Sequence, residues 1–208
     1  MRVHRFPSWL ERLFPQRLWE GPSVDKVIYL TFDDGPVPGI TDWVLEELAK
    51  RGQVATFFMV GDNVRKHPAL AQEVLAQGHQ VGNHTYRHLH GWQTNYREYL
   101  QDVRACDDVL LAVLGQRTSL FRPPYGELGP QQAREIAKDK TIVMWSLLTY
   151  DFEQSLAPEQ LLEEIIPRTA PGKILVFHDQ QRTKAQLQQV LPPYLDFLVD
   201  EGYITRLL

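Results

Sequence analysis

Val27-Ile28-Tyr29-Leu30-Thr31-Phe32-Asp33-Asp34-Gly35-Pro36 is an apolar run that ends on two carboxylates and a turn. The stretch Val27–Leu30 is too short for a helix and is bounded by Gly and Pro, so it reads as a buried strand. Two adjacent acids where such a strand stops are costly to bury unless they are paired or metal-bound. Successive strand side chains alternate in direction, so one carboxylate can bind a cation while its neighbour points elsewhere and takes a proton. Taken alone, Asp-Gly-Pro is better read as turn or cap chemistry. The balance shifts with His84-Thr85-Tyr86-Arg87-His88. These two His stand four apart, so a helical turn would project both imidazoles from one face. Two His and one carboxylate are a sufficient set for a catalytic zinc-type ion with an open position for water. A satisfied polar core pair is the competing reading for the two His.

Outward from this stretch the pattern alternates. Strand-like runs cover 27–32, 55–60, 80–83, 119–122, 141–147, 173–178 and 203–207. Amphipathic helical patterns lie between most of them, at about 41–51, 66–77, 95–114, 130–138, 158–169 and 185–201. Gly52, Gly78, Gly115 and Gly202 sit where helices should stop. Strand–helix alternation predicts an α/β architecture with a mainly parallel sheet. Asp33, Asp34, His84, Arg122, Asp151 and His178 all fall at or just beyond the C-terminal ends of strands. That spread over five strands places them around one rim, which favours a distorted, incomplete, seven-stranded β/α barrel over an open sheet. Residues 1–25 are irregular but apolar, with Trp9, Leu10, Phe14 and Trp19. They are expected to pack as a lead-in on a catalytic domain of 26–208, although a surface extension is an equal reading.

A chain of 208 residues is expected to form one domain with enough core to fold unaided. Its net charge of −4 carries no polyelectrolyte-binding signal, so nucleic acid is not an expected partner. Cys106 is the only cysteine, which excludes an intrachain disulfide and a Cys-based metal site. No apolar run approaches a membrane span. Met1-Arg2-Val3-His4-Arg5-Phe6-Pro7 lacks a signal-peptide core, so cytoplasmic residence is the default expectation.

Two further stretches carry chemistry. In Phe121-Arg122-Pro123-Pro124-Tyr125-Gly126 the prolines stiffen the loop and remove two N–H donors. The first amide beyond them, Tyr125, is a candidate oxyanion donor. Arg122 could make a fork to a carboxylate and hold it ionised, or a surface ion pair in a rigid turn. In Leu175-Val176-Phe177-His178-Asp179 a His stands at the mouth of a buried strand. It can serve as a general acid if it is cationic, and Asp151 is a candidate partner to raise its pKa. Backbone-bonded His178 and a turn role for Asp151 are the plainer alternatives.

The residues together resemble the polysaccharide deacetylases of carbohydrate esterase family 4. T-F-D-D-G-P, H-T-Y-R-H, R-P-P-Y-G and L-V-F-H fit four of that family's motifs in order, over residues 27–179. The fourth of the family's five motifs departs: Asp-x-x-Asp-Trp is matched here by Leu148-Thr149-Tyr150-Asp151-Phe152. The resemblance implies an incomplete β/α barrel, a divalent metal, most often Zn2+ with Co2+, Ni2+ or Mn2+ as alternatives, and removal of acetyl groups from an acetylated carbohydrate. It implies Asp33 as base and Asp34, His84 and His88 as metal ligands. Arg122 and Asp151 would be supporting groups, Tyr125 the oxyanion amide, and His178 the acid. Pro124, Tyr125, Phe152 and Leu175 would line the substrate groove. A small cyclic amide or formamide hydrolase on the same scaffold, or a non-catalytic carbohydrate-binding relative, are the rival expectations.

Overall fold

The computed structural model describes residues 13–208. The described strands are β1 (Arg17–Leu18), β2 (Val27–Asp33), β3 (Thr56–Met59), β4 (Gln80–Asn83), β5 (Leu120–Phe121), β6 (Thr141–Val143), β7 (Leu147–Leu148), β8 (Ile174–His178) and β9 (Ile204–Thr205). Helices α1 (Thr41–Lys50), α2 (Gly61–Lys66), α3 (Pro68–Ala76), α4 (Tyr96–Leu114), α5 (Pro130–Ile136), α6 (Pro158–Ile165) and α7 (Lys184–Asp200) lie between them. The strands run in the order β1-β6-β5-β4-β3-β2-β8-β7, and β9 joins the start of β2. Every strand pairing is parallel.

The expected α/β barrel is therefore present, with nine strands in place of seven. One addition is β1, where Arg17 and Leu18 pair with Ile142 and Val143. Of the expected lead-in, residues 1–12 lie outside the described residues; beyond them Trp19 is buried. The other addition comes from 141–147, which breaks into β6, next to the margin strand β1, and β7, at the opposite margin of the sheet. Only Met144-Trp145-Ser146 separates them, a reach of at most about 14 Å from Val143 to Leu147. The two margins must therefore curl toward each other. Met144 N donates to Leu18 O at 2.7 Å on one side of this seam. Ser146 N donates to Ile174 O at 3.1 Å on the other, and its Oγ accepts from Ile174 N at 3.0 Å.

Side-chain alternation divides the strands between two apolar layers. Leu30, Phe32, Phe57, Leu175 and Phe177 face the helices, packed with Val44, Leu45, Leu187 and Tyr194. Phe32 stacks between Phe57 and Phe177, with ring centroids 5.1 and 5.8 Å apart. Val27, Tyr29, Phe58, Leu120, Val143 and Ile174 fill the barrel interior. Thr31 and Asp33 continue the interior face of β2, opposite Val176 and His178 of β8. An apolar floor thus rises into a polar layer at the C-terminal rim.

Candidate active site

Asp33 closes β2 on the interior face, and Arg122 reaches it from the end of β5. Arg122 is completely buried, and its Nη1 donates to Asp33 Oδ1 and to Thr31 Oγ1, both at 2.7 Å. Its Nη2 donates to Met144 O at 2.9 Å, and the guanidinium lies 4.1 Å over the Phe58 ring. The expected fork is thus split: one nitrogen holds the carboxylate and the other holds the barrel seam. Burial pushes the Arg122 pKa down and the Asp33 charge opposes that.

Asp34 differs from the sequence expectation. It leaves the strand with φ of +85°, so the alternation expected to send the two carboxylates apart does not extend to Asp34. Both carboxylates consequently enter one pocket. Beneath the turn, Asp179 Oδ1 accepts from Gly35 N at 3.1 Å and its other oxygen accepts from Thr41 Oγ1. A Cβ on Gly35 would lie 2.1 Å from Asp179 Oδ2, so the turn can approach this acid only as glycine. Burial pushes Asp179 up to about 8, aided by the Asp34 charge and opposed by its hydrogen bonds. Asp179 supports the turn, and the sequence marks it only by adjacency to His178.

His84 and His88 do not share a helical face. The segment is irregular, with Thr85 at φ +64° and His88 at φ +58°. The imidazoles still meet, with centroids 5.1 Å apart. His84 Nδ1 lies 2.8 Å from Arg122 O; donating there leaves Nε2 free to face the pocket, 3.6 Å from Asp34 Oδ1. His88 Nε2 is 3.0 Å from the same oxygen. That short contact lacks hydrogen-bond alignment, and Asp34 Oδ1 is buried with no donor. One ligand atom from each of Asp34, His84 and His88 lies within 4.8 Å of the other two. Burial pushes His84 down to about 4, which keeps it neutral. Burial acts to raise Asp34, but His88, His178 and His84 outweigh it and hold the carboxyl well below its usual range. Two imidazoles and an ionised, unsatisfied carboxylate oxygen fit a divalent cation.

His88 is braced from outside. Tyr125 Oη lies 3.2 Å from its Nδ1, and the two rings meet edge-on at 4.7 Å. The Tyr125 ring is stacked on His90 at 3.7 Å with a 1° interplanar angle, and His90 Nδ1 is 3.2 Å from Glu127 Oε2. The Tyr125 side chain and Glu127 had no sequence signal for this role, and His90 had only its place two residues beyond His88.

Across the pocket, Asp151 is fully buried and grips His178 twice. Its Oδ1 lies 2.7 Å from His178 Nδ1 and its Oδ2 accepts from His178 N at 2.7 Å. Burial acts to lower the imidazole pKa, but Asp151, Asp34 and Asp33 raise it to about 9. Phe152 stands edge-on to the His178 ring at 5.2 Å.

Asp33, Asp34, His84, His88, Phe152 and His178 line one pocket of about 420 Å³, together with Pro123, Tyr125, Trp145, Leu148 and Val176. Two substrate-groove expectations change. Leu175 is buried in the helix-facing core, and alternation puts Val176 in the pocket instead. Pro124 is buried where the tight turn Pro124–Gly126 begins, and Pro123 is the proline that lines the pocket. The lining residues Trp145, Glu153, Gln180 and Arg182 were not anticipated: Trp145 falls inside the strand expected over 141–147, and the other three sit on connections without periodicity.

With barrel and pocket in place, the family follows. The polysaccharide deacetylase family model matches residues 20–145, more than half of the chain. The chain belongs to this family. It is 30% identical over 82% of its length to a peptidoglycan-N-acetylglucosamine deacetylase of Bacillus cereus, of which it spans 62%. It is also 30% identical, over 86% of its length, to the peptidoglycan-N-acetylmuramic acid deacetylase PdaC of Bacillus subtilis, spanning 37% of that protein. Among solved structures, the Bc1960 peptidoglycan N-acetylglucosamine deacetylase superposes with a TM-score of 0.84 at 28% identity, covering 98% of this chain and 95% of that one.

Proposed function

We propose that this chain is a metal-dependent deacetylase that hydrolyses the N-acetyl group of an amino sugar in a carbohydrate chain, yielding acetate and the free amine. One observation carries the reading: a cation-competent Asp34–His84–His88 cluster lies between a carboxylate held by Arg122 and an imidazole held by Asp151, in a single pocket. The names of the related proteins support an N-acetylated sugar as the substrate class.

Asp34, His84 and His88 would hold the ion, for which zinc is proposed. When bound, such an ion polarises the acetyl carbonyl and makes a nearby water more acidic. Asp33 takes a proton from the attacking water, and the bond from Arg122 Nη1 keeps its Oδ1 oriented while Oδ2 serves as acceptor. Water oxygen bonds to the carbonyl carbon, and the Tyr125 amide donates to the oxyanion that results. His178, kept cationic by Asp151, gives its proton to the sugar nitrogen as the C–N bond breaks. Phe152 and Trp145 exclude water beside the leaving group.

The test is acetate release from N-acetylglucosamine oligomers, with and without prior metal removal by a chelator. Asp33→Asn should lower turnover by about 10²–10⁴-fold while the protein keeps its metal content. Asp34→Asn should lose the metal. If the Asp33 variant loses the ion and the Asp34 variant keeps it, the roles are reversed; metal-independent acetate release refutes the mechanism.

A further inference from the structure

A second cleft, of about 390 Å³, lies apart from the residues of this pocket, between the segment leading into β1 and helix α5. Phe14 and Arg17 form one wall; Ala133, Arg134, Ala137 and Lys138 form the other, recurring at helical spacing along one stripe. Arg17 is held in place by its pairing with Ile142 and is only 8% exposed. Its guanidinium lies 4.3 Å over the Phe14 ring, and its buried Nε has no hydrogen-bond partner. Arg134 is exposed and makes no ion pair among the described residues, whereas Lys138 is matched by Glu135 at 2.7 Å. No acidic side chain is in the described lining. The whole chain is nonetheless acidic, at −4. Neither guanidinium meets a carboxylate among the described residues, and the unspent donor of buried Arg17 is unfavourable without an acceptor.

We propose that this cleft is a binding site for an oxyanion, a phosphate or carboxylate group carried on a small carbon skeleton. Arg17 and Arg134 supply the charge-assisted donors that such groups take. Phe14, Ala133 and Ala137 form the apolar strip for the attached carbons. The cleft volume admits a ligand of several heavy atoms, well beyond a single ion.

The full-length, zinc-loaded protein is titrated with sulfate in one arm and succinate in the other, following the arginine Nε–H resonances by NMR. Saturable movement of the Arg17 Nε–H signal is expected in at least one arm, and which arm binds tighter distinguishes tetrahedral from carboxylate ligands. Arg17→Met should weaken binding by about tenfold or more, and Arg134→Gln by several-fold, through loss of a charge-assisted pair. If Arg17→Met does not fold, Arg134→Gln alone decides, because its side chain is exposed. Absence of saturation in both arms, or wild-type affinity retained in Arg134→Gln, overturns the proposal.

Discussion

His178 shows how one residue's surroundings set its chemistry. Desolvation alone would make the imidazole neutral, yet the two bonds from Asp151 and the charges of Asp34 and Asp33 raise it to about 9. The folded pKa exceeds the unfolded value near 6.5, so this stabilisation is complete below about pH 6.5 and is lost as pH rises through 9. It contributes on the order of 3 kcal/mol at most. The same proton is the one given to the leaving amine. In Asp151→Asn the alkaline limb of the kcat/KM profile should move down by about one pH unit or more. A bound cation lowers the limb in both proteins, so parent and variant are compared with the same metal; an unmoved limb assigns the proton to another group. At His88, Tyr125→Phe removes the hydroxyl from Nδ1 while keeping the His90 stack. Metal affinity, measured by competition with a chelator, should fall by about tenfold. Unchanged affinity would mean that the hydroxyl does not orient the ligand.

At the scale of elements, local sterics made most segments legible and a long-range demand broke one of them. The helix expected over 66–77 is α3, Pro68–Ala76; α2, Gly61–Lys66, precedes it as a separate helix because Pro68 keeps His67 out of the α region, at φ −130° and ψ 57°. The run 141–147 reads as one strand because Ile142, Val143, Met144, Trp145 and Leu147 are apolar, but its ends serve opposite sides of the sheet. Helix α4 matches its expected range within one residue. Asn95 caps it, the side chain accepting from Glu98 N at 3.0 Å, and Gly115 ends it at φ +72°. Asn95→Ala should cost about 1 kcal/mol and lower Tm by about 2–4 °C. A change below 1 °C would show that tertiary packing alone defines this helix start.

For the whole molecule the decisive feature is closure. Ser146 joins the seam to β8 through both its amide and its hydroxyl. Ser146→Ala leaves the buried Ile174 N–H without its acceptor, which should destabilise by about 1–3 kcal/mol. The urea midpoint should fall with an unchanged m-value. A lower m-value would instead indicate that the seam had opened in the folded state.

Chemistry-bearing residue types and strand ends were legible from Val27–Pro36, His84–His88, Phe121–Gly126 and Leu175–Asp179, because strands impose a period of two and turns favour few residues. That much, with Asp151 just beyond the strand run 141–147, was sufficient for the barrel, for the candidate cation ligands and for the pairing of His178 with Asp151. Tertiary structure alone decided that Asp34 turns back beside Asp33, that a loop in place of a helix joins His84 to His88, and that Val176 and Pro123, not Leu175 and Pro124, line the pocket. It alone produced the Tyr125–His90 brace and the Arg17 cleft. The reason is physical: backbone direction after a strand ends, and contacts between segments far apart in the chain, depend on packing that no local period encodes.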